Sequence, residues 1–227
     1  MKYWGLLIVS LLGVQGLYAQ AQRDLATDST FKNWYYDSRE KLYQGLKSQQ
    51  VDVVFFGNSI TEGGPWHELF GSKYKIANRG IGGDNTFGMK ARVADVVKSQ
   101  PKKIFLMMGI NDIGRGQATS WTLKNYEEII QIIKKQSPKT KIYLQSTLPL
   151  NDKVLKYDYL LGKEEKIRAL NVGIVELAKK YKLQYVDVKE VLADGYVLKA
   201  NYTKDGIHLT TDAYLEWAKY LKAKKYL

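Results

Sequence analysis

A serine in the first third of the chain and a histidine near its end have the types and spacing of an acyl-transfer site. Ser59 stands directly after Gly57-Asn58, at the end of an apolar run that begins at Val51. Asp205 precedes His208 by three residues in a glycine-containing segment. A serine nucleophile needs a base, and the base needs a carboxylate that accepts the imidazole Nδ1–H and leaves Nε2 as the proton acceptor. The three side chains therefore form a candidate set in the chain order Ser, Asp, His.

Two further polar segments follow apolar runs of the chain. Residues 78–85 are Asn-Arg-Gly-Ile-Gly-Gly-Asp-Asn, and residues 109–112 are Gly-Ile-Asn-Asp. In open α/β sheets, ligands bind in the crevice outside the carboxyl ends of the strands. We therefore expect the serine, the histidine segment and these two segments at one edge of a sheet, where N–H donors can stabilise a developing oxyanion.

Each of these features has a simpler interpretation when it is taken alone. Ser59 is a common residue type at a helix N-cap, and His208 is compatible with an ordinary, partly buried histidine. Asn111 fits a turn, and the glycines of residues 80–83 fit a tight turn or a dinucleotide loop. The dinucleotide fingerprint Gly-x-Gly-x-x-Gly is broken, because Asn85 occupies its last position. The combination of nucleophile, base and carboxylate favours catalysis over the separate interpretations.

Alternating strands and helices must position these residues. Short, apolar, β-branched runs predict strands at residues 51–56, 74–78, 103–108, 141–146 and 184–188. Helical patterns are found at residues 32–49 and in apolar stripes at residues 123–133, 167–181 and 213–221. Strands that alternate with helices predict βαβ units, and hence a parallel sheet that is covered on both faces.

The serine segment Gly57-Asn58-Ser59-Ile60-Thr61 resembles the Gly-Asp-Ser-Leu block of the GDSL/SGNH hydrolases, with Asn58 in place of the aspartate and Ile60 in place of the leucine. The later blocks of that family resemble, in order, residues 78–84, 109–112 and 205–208. The resemblance extends over about residues 50–222. The second and third blocks are most similar to those of proteins like platelet-activating-factor acetylhydrolases and bacterial carbohydrate acetylesterases.

This resemblance implies a fold and a mechanism. The implied fold is a flavodoxin-like, three-layer α/β/α sandwich with a five-stranded parallel sheet. The implied catalytic residues are Ser59 as nucleophile, His208 as base and Asp205 as its orienting carboxylate. The oxyanion hole is implied to consist of the backbone N–H groups of Ser59 and Gly83 and the side-chain amide of Asn111. Neither a metal nor an organic cofactor is implied.

The composition limits the other mechanisms. The chain has 227 residues, no cysteine and two histidines, His67 and His208. A disulfide scaffold, a zinc ribbon, an iron–sulfur site and a cysteine nucleophile are thereby excluded, and so is a histidine-rich metal site. His67 follows Trp66 and has no acidic partner at a useful spacing, so we expect it at the surface or at the rim of a pocket.

Residues 1–21 have the layout of a secretory signal peptide. Lys2 precedes an apolar run at residues 5–18, and alanines follow at positions 19 and 21. A retained membrane anchor is the alternative, but a spanning helix needs about 20 apolar residues and polar and glycine residues interrupt this run. We therefore expect cleavage after Ala19 or Ala21, an exported protein that is periplasmic or secreted, and a single domain at residues 22–227.

The charge gives weaker information about partners. The 35 Lys and Arg residues against 23 Asp and Glu residues give a formal net charge of +12. Most of the basic residues are single lysines in helical stretches, which is typical of a solvated surface, whereas nucleic-acid binding would concentrate arginines and aromatics on one element. We therefore expect no nucleic-acid partner and no stable membrane insertion of the mature chain. The positive charge is compatible with electrostatic steering toward acidic polysaccharide or anionic membrane surfaces.

The least patterned stretch, residues 149–163, is predicted to be a lid or a substrate-facing loop. Its polar and aromatic side chains suit hydroxyl groups and sugar rings better than acyl tails; they are Asn151, Asp152, Tyr157, Asp158 and Tyr159. With an exported location, this favours a small-molecule or glycan ester with a short acyl group, above all acetyl. Lysophospholipids, other lipid esters, aryl esters and thioesters are alternatives within the enzyme class, and a binding module without catalysis is the alternative outside it.

Overall fold

The structure of the protein is a computed structural model that describes residues 28–46 and 50–227. The predicted signal peptide, residues 1–21, lies outside the described residues. Within residues 28–46 and 50–227, no helix combines the length and the apolar character that a membrane span requires.

A five-stranded parallel sheet forms the centre of the molecule. Its strands are β1 (Val53–Gly57), β2 (Ile76–Gly80), β3 (Lys103–Met107), β4 (Lys141–Gln145) and β5 (Gln184–Val186). Their spatial order is β2-β1-β3-β4-β5, which is the flavodoxin-like order with its switch point between β1 and β3. The predicted sheet is thereby confirmed.

Helices cover both faces of this sheet. They are α1 (Trp34–Gly45), α2 (Ser59–Glu62), α3 (Trp66–Phe70), α4 (Thr86–Val96), α5 (Ile110–Gly114), α6 (Thr119–Gln136), α7 (Glu164–Tyr181), α8 (Lys189–Leu192) and α9 (Thr211–Ala223). On one face, Arg92 of α4 lies over the Phe56 ring at 4.4 Å. On the other face, Trp66 of α3 stacks on Phe55 at 3.9 Å. Because neighbouring strand residues point to opposite faces, the arrangement is the expected three-layer α/β/α sandwich.

A row of aromatic rings crosses the sheet and favours one strand register. Phe55, Phe105 and Tyr143 occupy paired positions on β1, β3 and β4. Their ring centroids are 5.1 Å and 4.4 Å apart along the row, and Trp66 meets Trp217 of α9 edge-on at 4.9 Å. Such aromatic pairs contribute about 0.5–1.5 kcal/mol each beyond their buried area.

The same strand register aligns the ends of β1, β2 and β3, and with them the starts of the segments that follow these strands. Gly57, the last residue of β1, pairs with Gly80 of β2 and with Met107 of β3. The segments that follow these three strands therefore leave the sheet side by side at its carboxyl edge.

Strand β2 begins two residues later than the prediction of residues 74–78. The Tyr74 N–H donates to Phe70 O at 3.1 Å, so Tyr74 belongs to the turn that ends α3. Asn78 consequently lies inside β2 and not beyond it. Its Nδ2 donates to three carbonyls at the end of α2, those of Thr61, Glu62 and Gly64, at 3.1, 2.9 and 3.2 Å.

A small antiparallel hairpin, which the sequence analysis did not predict, follows α8. Its strands are β6 (Ala193–Asp194) and β7 (Val197–Leu198). Gly195 in the turn has φ 61°, a backbone conformation that favours glycine. The Leu198 N–H donates to Leu150 O at 3.1 Å, so the hairpin fixes the start of residues 149–163.

Candidate active site

Ser59, His208 and Asp205 form a continuous chain of polar contacts at the carboxyl edge of the sheet. Ser59 Oγ lies 3.0 Å from His208 Nε2, and His208 Nδ1 lies 2.7 Å from Asp205 Oδ2. With its proton on Nδ1, the imidazole accepts a hydrogen bond from the serine hydroxyl at Nε2. The geometry is the one that activation of a serine nucleophile requires.

The first turn of α2 presents Ser59 to the histidine. Asn58 is the N-cap of this helix, and its side-chain oxygen accepts a backbone N–H two residues later at 3.1 Å. The interpretation of Ser59 as a cap is therefore wrong, because Asn58 fills that role. Gly57 has to lack a side chain, since a Cβ at this position would lie 2.1 Å from Thr61 Oγ1.

A tight loop holds the Asp205 carboxylate against His208. Asp205 Oδ1 accepts the backbone N–H groups of Ile207 at 3.2 Å and His208 at 2.8 Å. Burial raises the pKa of the Asp205 carboxyl, but the hydrogen bonds from the His208 ring and from the two N–H groups outweigh it and hold this pKa below its usual value. Asp205 therefore stays ionised at neutral pH and stabilises an imidazolium at His208.

The predicted oxyanion donors come from the segments after β2 and β3. Gly83 is exposed and has φ 74°, in the left-handed region that favours glycine. A Cβ on the neighbouring Gly82 would lie 4.0 Å from Ser59 Cβ, so this loop passes directly beside the serine. Asn111 Nδ2 donates to Asp84 O at 2.8 Å, and the amide has a second N–H for a substrate oxygen.

A buried ion pair beneath these loops was missed by the sequence analysis. Asp84 accepts Arg92 Nε at 2.9 Å, and Arg92 also donates to Gly57 O at 3.0 Å and Arg79 O at 2.8 Å. Burial raises the pKa of Asp84 to about 6, against the attraction of Arg92. Arg92 thereby connects the loop after β2 to the end of β1. The available signal was a charged residue in the buried, otherwise apolar face of α4.

Asp112, in the third polar segment, is also buried. Its two carboxylate oxygens accept the Thr86 N–H at 3.2 and 3.1 Å, and one of them accepts the Thr86 hydroxyl. Burial raises the pKa of Asp112. Asp112 therefore caps the start of α4 and fixes α5, which carries Asn111, to its neighbour.

Residues 149–163, the predicted lid or substrate-facing loop, pack along the Asp205–His208 loop. The Lys156 N–H donates to Asp205 O at 3.0 Å, and the Asn151 N–H donates to Gly206 O at 2.9 Å. The Tyr157 hydroxyl donates to Asp205 Oδ2 at 3.3 Å, and its ring meets His208 edge-on at 5.7 Å. This segment therefore braces the base and its carboxylate.

The polar residues of this segment differ in their exposure. Asp152, Asp158 and Tyr159 are exposed. Asn151 is buried, and its amide donates to Leu198 O at 2.7 Å. The expectation that Asn151 binds substrate hydroxyl groups is therefore wrong, because the side chain is buried and its amide is hydrogen-bonded to the carbonyl of Leu198 in β7.

His67 lies away from the site. It is exposed and lines a surface depression with residues at the amino ends of β1 and β2, namely Gln50, Val51, Lys75 and Ile76. Since Ser59 lies at the carboxyl ends of these strands, the predicted surface position of His67 is confirmed. In the described part of the chain, no cluster of three or more histidine, cysteine or acidic side chains could hold a metal ion.

Comparison with known proteins places this geometry in a family. The model of the GDSL-like lipase/acylhydrolase family matches residues 55–215. No curated protein matches the chain significantly. Among solved structures, a protein from Streptococcus pneumonia, described provisionally as a platelet activating factor, is 31% identical, with 94% of this chain and 98% of that chain covered and a TM-score of 0.75.

Two further structures show how far the likeness extends. A GDSL-like lipase from Bacteroides thetaiotaomicron is 26% identical over 83% of this chain and 98% of its own, with a TM-score of 0.72. A carbohydrate acetylesterase from Sinorhizobium meliloti shares the fold at 15% identity, over 78% and 99% of the two chains, with a TM-score of 0.63. The matched range includes Ser59, both segments that are predicted to supply oxyanion donors and the Asp205–His208 loop. The chain belongs to the GDSL-like lipase/acylhydrolase family and is a carboxylic ester hydrolase.

Proposed function

We propose that the protein is a serine esterase that releases short acyl groups, above all acetyl, from carbohydrate esters. The observation that supports the chemistry is the contact chain from Ser59 Oγ through His208 to Asp205, with distances of 3.0 and 2.7 Å. The Asn111 amide donates to Asp84 O in the loop that passes beside Ser59, which supports a role for this amide in holding the oxyanion.

The first half-reaction transfers the acyl group to the enzyme. Ser59 Oγ attacks the ester carbonyl carbon, and its proton moves to His208 Nε2. Asp205 stabilises the imidazolium, while the N–H groups of Ser59 and Gly83 and the Asn111 amide donate to the oxyanion. Collapse of the tetrahedral intermediate breaks the ester C–O bond, and the leaving alkoxide takes the proton from His208.

The second half-reaction releases the acyl group. Water attacks the Ser59 ester and gives a proton to His208 Nε2. The new tetrahedral intermediate collapses, the serine oxygen regains the proton, and a carboxylic acid leaves. Each proton in the cycle moves through the one imidazole that Asp205 orients.

The substrate proposal rests on the exposed side chains of residues 149–163. Asp152 and Asp158 offer acceptors for hydroxyl groups, and Tyr159 is an aromatic face that is 56% exposed. The predicted export of the chain would place these groups among extracellular and envelope glycans. The carbohydrate acetylesterase named above supports the fold only, at its 15% identity.

A lipid-ester hydrolase is the second candidate, and one observation favours it. Val154 and Leu161, in the same segment, are 45% and 55% exposed. Exposed aliphatic side chains in a segment that packs along the Asp205–His208 loop would suit an acyl chain. The two candidates differ in how the rate depends on acyl length.

An acyl-length series separates these candidates. Each buried CH₂ contributes up to about 0.8 kcal/mol, so an enzyme with an acyl-chain groove becomes faster as the chain grows. We expect kcat/KM to fall from acetyl through butyryl to octanoyl nitrophenyl esters, and acetate to be released from acetylated sugars. A kcat/KM that climbs steadily to octanoyl, without acetate release from the sugars, would establish the lipid-ester candidate.

The serine mechanism has its own test. Ser59→Ala should abolish the acyl-enzyme, as detected by mass spectrometry, and nearly all turnover, with the fold retained. Ser120, an exposed residue of α6, provides the matched control, and Ser120→Ala should behave like the wild type. Full activity in Ser59→Ala would refute the mechanism.

A further inference from the structure

The described residues 28–46, here called the N-terminal segment, precede the family match at residues 55–215. They contain α1, whose N-cap Asn33 accepts two backbone N–H groups of the first turn. This segment contacts the loop at residues 80–85, here called the oxyanion loop, at several points. The contacts, made directly or through Glu62, lie at Gly80, Gly82 and Asn85, on both sides of Gly83.

Glu62, the last residue of α2, is the central link. Its Oε2 accepts the Gly82 N–H at 2.8 Å. Its Oε1 accepts the Tyr35 hydroxyl at 2.7 Å and forms an ion pair with Arg39 Nε at 2.8 Å. One carboxylate therefore joins the helix of the nucleophile, the oxyanion loop and α1.

Two further contacts hold the beginning of the oxyanion loop. The Tyr43 hydroxyl donates to Gly80 O at 2.6 Å. Arg39 Nη2 donates to the same hydroxyl at 2.8 Å. Arg39 therefore supports both Glu62 and Tyr43, and through them two positions of the loop.

The residues before α1 hold the end of the loop. Thr30 O accepts Asn85 Nδ2 at 3.0 Å and also accepts a guanidinium N–H of Arg115. Arg115 directly follows α5, which carries Asn111. A single carbonyl of the N-terminal segment thus contacts the neighbourhoods of both oxyanion segments.

These contacts matter because no atom confines Gly83 on the side where a side chain would lie. A Cβ built at Gly83 would meet no atom within 4 Å, and the residue has φ 74°. Its orientation depends on the turn bond from the Asp84 N–H to Ile81 O and on two neighbouring contacts, the Gly82 N–H on Glu62 and the Asp84 carbonyl on Asn111. A shift of about 1 Å in a reacting geometry can cost ~10²-fold in rate.

We infer that Tyr35 and Arg39 of the N-terminal segment are positioning residues of the oxyanion hole, which act through Glu62. They hold the Gly82 N–H and so direct the Gly83 N–H at the oxyanion. This inference rests on the proposed serine mechanism. It assigns a role in catalysis to residues outside the part of the chain that the family model matches.

The test compares Glu62→Gln and Tyr35→Phe with the wild type, Ser59→Ala and the control Arg168→Gln. Arg168 forms an exposed ion pair with Glu164 on α7. Turnover of an acetyl ester gives kcat and KM. Phenylboronic acid probes the oxyanion hole, because Ser59 Oγ bonds to boron, His208 takes the proton, and a tetrahedral anion forms.

We expect Glu62→Gln to lower kcat and the affinity for the boronate together, by about 10- to 100-fold, with little change in KM. Tyr35→Phe, which removes only a hydroxyl, should lower both in the same ratio by less, and Arg168→Gln should change neither. An unchanged kcat in Tyr35→Phe, or a lower kcat with unchanged boronate affinity in either variant, would overturn the inference. Failure of the wild type to bind the boronate would instead refute the proposed serine mechanism.

Discussion

Tyr157 and Asp205 share a contact that extends the chain of contacts from Ser59 through His208 to Asp205 by one residue. The Tyr157 hydroxyl lies 3.3 Å from Asp205 Oδ2, the oxygen that also lies 2.7 Å from His208 Nδ1. Burial and the charge of Asp205 both raise the pKa of Tyr157, so the hydroxyl stays protonated and donates. The hydrogen bond from Tyr157 stabilises the negative charge of Asp205 and so weakens the attraction of this carboxylate for an imidazolium at His208.

Tyr157→Phe should therefore change the rate and the pH profile together. Loss of one hydrogen bond of about 0.5–1.5 kcal/mol predicts a two- to tenfold lower kcat. The acid limb of kcat/KM should move to higher pH, because the carboxylate then favours the imidazolium more strongly. Tyr181→Phe is the control, since Tyr181 donates to Glu127 at the surface. A pH profile that stays unchanged would show that Tyr157 only packs against the loop.

Asn111→Ala should lower kcat by about 10²–10³, which is the usual cost of one oxyanion donor, while KM changes little. The reason is that the amide interacts more strongly with the oxyanion than with the ester carbonyl. Steady-state kinetics on an acetyl ester measure both constants, with the exposed Asn201→Ala as control. An unchanged kcat would remove Asn111 from the oxyanion hole.

The two histidines provide an internal comparison. His208→Ala should be about as damaging as Ser59→Ala, because nucleophile and base act as a unit. His67→Ala should retain most activity, since His67 lies at the opposite edge of the sheet. Parallel assays of the two variants test this. An essential His67 would contradict the assignment of the site.

Arg92→Leu should destabilise the fold by about 3–5 kcal/mol at neutral pH, because it leaves the buried Asp84 without its counter-charge. Denaturant unfolding, with Arg168→Leu as an exposed control, measures the difference. A loss of less than about 1 kcal/mol, as is usual for exposed pairs, would show that the pair contributes little.

The pH dependence of this loss has a definite sign. Burial already raises the pKa of Asp84 to about 6 in the folded protein, and removal of Arg92 raises it further. A carboxyl whose folded pKa is raised contributes stability at low pH that is lost as the pH rises through that pKa. The gap between Arg92→Leu and the wild type should therefore be smaller at pH 5 than at pH 8. An equal gap at both values would contradict this account.

The sheet and the site follow from patterns that are local in the sequence. A run such as residues 104–108 is apolar throughout because both faces of a parallel strand are buried. Once such strands are parallel, their carboxyl ends meet at one edge, and Ser59 and His208 are expected there. The strand limits were less predictable, since the pairing with β1 decides where β2 begins.

The supporting residues could not be predicted, because their roles depend on distant partners. Glu62 has the spacing of an ordinary surface acid on a short helix, and only the folded chain brings Tyr35 and Gly82 to it. Asn151 was expected to face substrate because it is polar and lies in a loop. The unpredicted β7 strand buries it.

The contact between Ser59 and His208 joins residues that are 149 positions apart. During synthesis Ser59 is made long before His208, and α9, whose Tyr214 donates to Ile60 O at 2.7 Å beside the serine, is made later still. A chain that ends before His208 therefore lacks the imidazole that contacts Ser59. In the proposed mechanism, ester turnover therefore requires these two distant parts of the chain to meet in one folded molecule.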